Sequence, residues 1–182
     1  MVKTDLKETI EIPSDIDKEI TEEKLILKKQ DKELSRKLDN LIKTKIENET
    51  IILEAKKATK RERKIFGTMK AHIKNMIKGL NENYKYKLEI ANVHFPMNVS
   101  FDEGKNILII KNFLGEKSDR TINIRKGVTI KVDKNIIEVE SHNKELAGQV
   151  SADIEKGTRV RKKDRRIYQD GIYIIEKPKR LM

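Results

Sequence analysis

Cysteine is absent from the 182 residues. That excludes disulfides, a thiol nucleophile and thiolate metal sites. Tryptophan is also absent and aromatics make up only 4%, so any core must be mainly aliphatic. No run approaches the roughly 18 to 20 apolar residues needed to span a bilayer. The opening MVKTDLKETIEIP has no apolar signal core. The chain is therefore expected to be soluble and intracellular, with no membrane partner. The eight glycines are scattered, and none builds a phosphate-cradling loop between a strand and a helix. The three histidines, His72, His94 and His142, stand alone, without a second ligand at metal-binding spacing, and are expected to be structural or merely exposed. No serine sits in a nucleophile elbow. Carboxylates are plentiful, but no spacing singles out a pair. The expectation is a protein that is not an enzyme and uses no metal or cofactor.

What the chain does have is charge. Lysine and arginine number 41 against 30 acidic residues, a net charge of +11. Such an excess points to a polyanionic partner, either nucleic acid or an anionic membrane surface. Charged residues make up 39% and apolar residues 36%. Clusters of Ile, Leu and Val distinguish the chain from a disordered polyelectrolyte. Its length fits one large domain or two of roughly 80 to 90 residues.

In the first half, strand signals occur at residues 9–12, ending at Pro13, and at 25–27 and 34–38. Residues 43–47 and 50–55 flank Asn48-Glu49 as a hairpin. The apolar period then changes. Ile65, Met69, Ile73, Met76, Ile77 and Leu80 recur at helical spacing across 59–80. Thr59 is the expected N-cap, with Glu62 as its capping-box partner, and Gly79 and Asn81 are stop signals. The second half begins again with strands at 84–93, 97–101, 106–111, 120–125, 128–132 and 136–140. A helix is expected over 144–156, then a basic loop, a short strand at Ile167-Tyr168, a turn at Asp170-Gly171, a strand at 172–176 and a basic tail.

The halves match. Gly67, Met69, Ala71 and Ile73 align with Gly148, Val150, Ala152 and Ile154 at one constant offset. Upstream, Ile51, Leu53 and Glu54 align with Ile137, Val139 and Glu140. In both halves that strand leads into the helix. This pattern reads as a duplicated module. The fold expected is α+β: two tandem similar domains, 1–82 and 83–182, each a mainly antiparallel sheet packed against one helix.

Charge is unevenly placed. From Lys156 onward, ten basic residues face three acidic ones, whereas the preceding 155 residues carry 31 and 27. The segment RVRKKDRRIYQDGIY mixes Arg and Lys with Tyr168 and Tyr173. Arg forks match phosphate oxygens, and its plane stacks on unpaired bases. Tyr168 and Tyr173 can stack on looped RNA bases or pack within the sheet, and for Tyr173, between Ile172 and Ile174, packing is favoured. A second basic stretch (Lys56, Lys57, Lys60, Arg61, Arg63, Lys64) opens the first helix. Cations there oppose the helix dipole, so either a phosphate partner or simple solvation accounts for them.

Four strings go beyond general physics: NMIKG at 75–79, HFPM at 94–97, NFLGEK at 112–117 and DRRIYQDGIY at 164–173. In this order they resemble large-subunit ribosomal protein six in its archaeal and eukaryotic form. The resemblance is strongest from Gly67 onward and weaker before Thr59. It implies two similar α+β domains and binding to large-subunit rRNA, chiefly through the second domain. The implied place is near the sarcin–ricin loop and the base of the stalk, on a cytoplasmic ribosome. Implied partners are that rRNA, neighbouring large-subunit proteins and nearby translation factors. Carried over by position, the rRNA-contact residues are Arg159, Arg161, Lys162, Lys163, Arg165, Arg166, Lys177, Lys179 and Arg180. Gly171 is expected to make a tight turn between the last short strands. One departure stands out: the stretch 28–33 lacks the glycine common in that early turn. A free-standing RNA-binding or RNA-chaperone module remains the alternative.

Overall fold

The computed structural model describes residues 4–21 and 23–179. The chain divides into two compact units between Glu82 and Asn83. Both are α+β, and both follow one plan.

The first unit opens with β1 (Thr4–Glu11), followed by a meander of β2 (Asp17–Ile20), β3 (Lys24–Lys29) and β4 (Lys32–Lys37). A hairpin of β5 (Lys43–Glu47) and β6 (Thr50–Ala58) leads into α1 (Lys60–Asn81). The strands form two antiparallel sheets, ordered β1-β6-β5 and β2-β3-β4. Alternation in β3 buries Leu25 and Leu27. The helical period buries Phe66, Met69, Ile73, Met76 and Leu80. These side chains join Ile51 and Leu53 of β6 in one core. The Glu62 carboxylate accepts from the Thr59 N–H, the expected capping arrangement. Gly79 does not stop the helix: it is helical and buried, and the helix ends two residues later.

The second unit repeats the order. Strand β7 (Tyr84–Ala91) is followed by the meander β8 (Asn98–Asp102), β9 (Ile107–Lys111) and β10 (Arg120–Asn123). The hairpin β11 (Thr129–Asp133) and β12 (Ile136–Ser141) leads into α2 (Lys144–Gly157). Here Leu108 and Ile110 take the part of Leu25 and Leu27, and Ile137 and Val139 the part of Ile51 and Leu53. Ile73 and Ile154, matched in the sequence, are both fully buried on their helices. The Asn143 side chain caps α2 by accepting from the Glu145 and Leu146 N–H groups at 3.0 and 3.2 Å.

Among the described residues, one strand has no counterpart. Strand β13 (Gly171–Glu176) pairs antiparallel with β7, giving a sheet ordered β11-β12-β7-β13. The expected strand at Ile167-Tyr168 does not form. Asp164 folds that stretch into a turn, its carbonyl accepting from the Ile167 and Tyr168 N–H groups. Gly171 consequently joins no two strands: it is the first residue of β13. It sits at φ +159°, which side chains rarely adopt, and a Cβ there would lie 3.1 Å from the Tyr173 ring, so both conformation and close approach favour glycine. Strand β2 was not legible in advance, since its four residues DKEI carry three charges. At the glycine-free turn, Gln30 itself adopts the left-handed conformation, at φ 51°.

Candidate RNA-binding surface

The basic loop runs from the end of α2 to the start of β13, and both of its ends are pinned inside the second unit. At the first end, Thr158 is buried, and its Oγ1 accepts from the Ile172 N–H at 3.0 Å. Val160 is buried two residues later. Glu155 of α2 adds a further tie, accepting from the Ile174 N–H at 3.3 Å. At the other end lies Asp170, fully buried. Its Oδ1 accepts from the N–H groups of Val93, His94 and Phe95 at 3.0, 2.8 and 3.2 Å. Its Oδ2 lies 2.7 Å from His94 Nδ1, which donates when it carries the proton. Burial opposes the Asp170 charge. The N–H and imidazole of His94 and the N–H groups of Phe95 and Val93 outweigh it and hold the carboxyl at about 2, below its ordinary 3.8.

Between these anchors the side chains point to solvent. Arg159, Arg161, Lys162, Lys163, Arg165 and Arg166 are all exposed. Arg166 is held by Asp164, 2.9 Å away, and that guanidinium lowers the Asp164 pKa. The Lys163 ammonium stands 4.4 Å over the Tyr168 ring. Arg159, Arg161, Lys162 and Arg165 make no ion pair among the described residues. Lys177 and Lys179 follow β13 and are exposed, and Arg180 lies outside the described residues.

Elsewhere in this unit the two signs balance in number, and several of the charges pair with one another. Residues 83–155 carry 11 basic and 11 acidic side chains. Arg120 illustrates the pattern. It bonds both Glu116 oxygens at 2.7 and 2.6 Å, donates to the Gly157 carbonyl at 2.8 Å and lies 4.0 Å over the buried Phe113 ring. Of the loop cations, Arg159, Arg161, Lys162 and Arg165 have no such partner among the described residues. Backbone pinned at both ends with free cations between is suited to holding a phosphate chain, because little ordering remains to be done on binding.

The basic stretch on α1 is placed differently. Lys56, Lys57, Lys60, Arg61, Arg63 and Lys64 are exposed, with Lys64 on the rim of a cleft also lined by Arg36 and Lys37. Lys56 and Lys57 belong to the end of β6, where the backbone N–H of Lys57 donates to the Asp5 carboxylate at 2.6 Å.

Sequence reasoning missed His94 and Asp170 as anchors. Asp170 counted only as an acidic residue in a turn, and His94 as isolated. They sit 76 positions apart, and no local spacing joins them. Tyr173 was expected to pack in the sheet. It is partly exposed, with its hydroxyl donating to the Gln169 carbonyl at 3.1 Å, back toward the loop. Among the described residues there is no cluster of three or more metal-ligating side chains, and no helix is long and apolar enough to cross a membrane.

Residues 95–171 match the model of the family described as ribosomal protein L6. Over the whole chain the similarity is wider. A large ribosomal subunit protein uL6 from Methanococcus vannielii is 44% identical over 94% of this chain and 94% of its own length. The protein of that name from Desulfurococcus amylolyticus is 38% identical, covering 93% and 94%. The one from Methanobrevibacter smithii is 35% identical, covering 97% and 99%.

Proposed function

This chain belongs to the ribosomal protein L6 family, and on that premise we propose that it is a structural constituent of the large ribosomal subunit. It binds large-subunit rRNA through the loop 159–166 and the tail that follows β13. The observation that carries this reading is the loop itself: six exposed cations, four of them in no ion pair or ring contact among the described residues, on backbone fixed by buried Thr158, Val160 and Asp170. The resemblance of the closing motif supports a place near the sarcin–ricin loop and the stalk base, with translation factors nearby. Neighbouring large-subunit proteins are further partners, and the location is the cytoplasmic ribosome. The role is architectural, not enzymatic.

Physically, arginine forks and lysine ammonium groups neutralise phosphates and release condensed counterions. A fixed loop sets the spacing of those contacts, so the protein reads RNA shape and holds neighbouring RNA segments in one relative orientation. Sedimentation of a native lysate through a sucrose gradient with a high-salt wash tests the proposal. Recovery with large subunits and intact ribosomes is expected. Recovery only in the soluble top fractions would defeat the structural role and favour a free-standing RNA-binding module.

A further inference from the structure

The anchoring of the loop has a second consequence, on the turn that Asp170 grips. Residues 92–97 connect β7 to β8, and three successive N–H groups of that turn converge on one buried carboxylate. Asn92 adds a tie by accepting from the Met97 N–H at 3.1 Å, and Asn112 donates to the Pro96 carbonyl at 3.0 Å. The turn is therefore held as firmly as the loop. Yet it displays large apolar side chains to solvent: Val93 is 59% exposed and Phe95 37%. Neither belongs to the core of this unit.

The Phe95 ring is seated from below. It lies against Gly115, which sits at φ +73°, and a Cβ on that glycine would come within 3.2 Å of the ring. One side of Phe95 is thus supported, and 37% of the residue remains open to solvent. Beside it, the His94 and Tyr168 rings meet at a centroid distance of 5.2 Å and a tilt of 33°. The basic loop adjoins them, with the Lys163 ammonium over Tyr168 and near Glu116, next to Gly115, whose pKa is lowered chiefly by the Arg120 hydrogen bond and in smaller part by Lys163. A rigid aromatic surface at the lip of a cationic loop is the arrangement by which proteins hold bases that have left the RNA stack. The cations there disfavour a basic or neutral protein surface and favour a polyanion.

We propose that the turn 92–97 is the second half of the RNA-binding surface: Phe95, flanked by Val93 and the His94–Tyr168 ring pair, receives an unpaired base of the RNA whose phosphates lie on the loop. The inference rests on the rRNA-binding reading above and adds a base contact to it. In this arrangement Asp170 acts as a positioning residue, fixing the stacking turn and the phosphate loop at one mutual distance.

The test uses the full-length protein and full-length large-subunit rRNA. Filter-binding titrations across a salt series compare the unmutated chain with Phe95→Ala, Phe95→Tyr and Lys162→Ala. Short-wave ultraviolet crosslinking of the unmutated complex, followed by peptide mapping, gives an independent readout. Phe95→Ala is expected to weaken binding roughly 5- to 100-fold, the size of one base–aromatic stack. Its salt slope should stay unchanged, because stacking releases no counterions. Phe95→Tyr should restore binding, and Lys162→Ala should lower the slope. Nucleotide adducts are expected on the peptides holding His94, Phe95 or Tyr168. Tight binding with no adduct there, together with unchanged affinity of Phe95→Ala, overturns the base contact and leaves the phosphate loop intact. Absence of rRNA binding by the unmutated chain overturns both.

Discussion

Strands β1 and β7 occupy the same place in their units: each opens the module and pairs antiparallel with the strand that leads into the helix. Strand β1 ends its sheet, whereas β7 carries β13 on its other edge. That added strand sets the second domain's sheet apart from the first's. To reach the β7 edge, the chain must cross from the end of α2 by a loop, and pairing plus burial fix both ends of that crossing. The first domain has comparable cations on α1, but its chain leaves the helix without returning to the sheet. The pair teaches that a repeated module acquires an exposed basic loop, pinned at both ends, when the chain continues for one more strand. The scaffold stays the same, and the 27 residues from Lys156 carry the charge.

The comparison is broken most directly by discharging the loop. Replacing Arg161, Lys162, Lys163 and Arg165 together with alanine should reduce rRNA affinity on the order of 100-fold or more and lower the salt slope by about three. The same treatment of Lys60, Arg61, Arg63 and Lys64 should change both much less. Equal losses from the two sets, measured by filter binding at several salt concentrations, would remove the functional distinction between the domains.

Next in size is the anchor. Asp170→Ala leaves three N–H groups and an imidazole without their acceptor, and should cost the second domain about 3 to 5 kcal/mol. Amide exchange at Val93, His94 and Phe95 should rise while α1 remains protected. The same anchor sets an acid limit. Its carboxyl is ionised down to about 2 when folded, against an ordinary 3.8. Stability from this group is complete above pH 4 and disappears as pH falls toward 2, a change on the order of 2 kcal/mol. In Asp170→Asn that part of the acid sensitivity of the second domain should vanish.

A finer comparison uses the matched glycines. Nothing lies within 4 Å of a Cβ added at Gly67, whereas one at Gly148 would meet the Tyr86 hydroxyl at 2.9 Å. Gly67→Ala should therefore stabilise α1 by up to about 1 kcal/mol. Gly148→Ala should fall short of that gain by about 1 kcal/mol or more, and thermal unfolding would show equal effects if the two sites were equivalent. The smallest effect is expected at Gln30→Gly, which relieves a left-handed residue in the β3–β4 turn and should add about 0.5 to 1 kcal/mol.

Much of this architecture could be read from residue patterns. The period change at Thr59, the capping pair Thr59–Glu62 and the Asn48 turn reflect local physics, and each stands where its chemistry puts it. The repeat was legible because Met69 and Val150, and Ile73 and Ile154, are buried for the same reason on the same helical face. Ile167-Tyr168 misled, because an apolar pair beside a strand-like run has strand propensity. The Asp164 carbonyl, accepting from both N–H groups, offers the backbone a turn instead. Strand β2 escaped notice for the opposite reason: sheet pairing with β3 made a strand of residues with no strand pattern of their own.

The sequence by itself determined the two modules, their helices and the concentration of positive charge after Lys156, since periodicity, capping and charge are properties of neighbouring residues. Only the tertiary structure decided that this charge sits on fixed backbone. Burying the Asp170 carboxylate requires donors to converge on it, and those donors come from a turn 75 to 77 positions away. That convergence depends on the pairing of β7 with β13, which no local stretch of the chain contains.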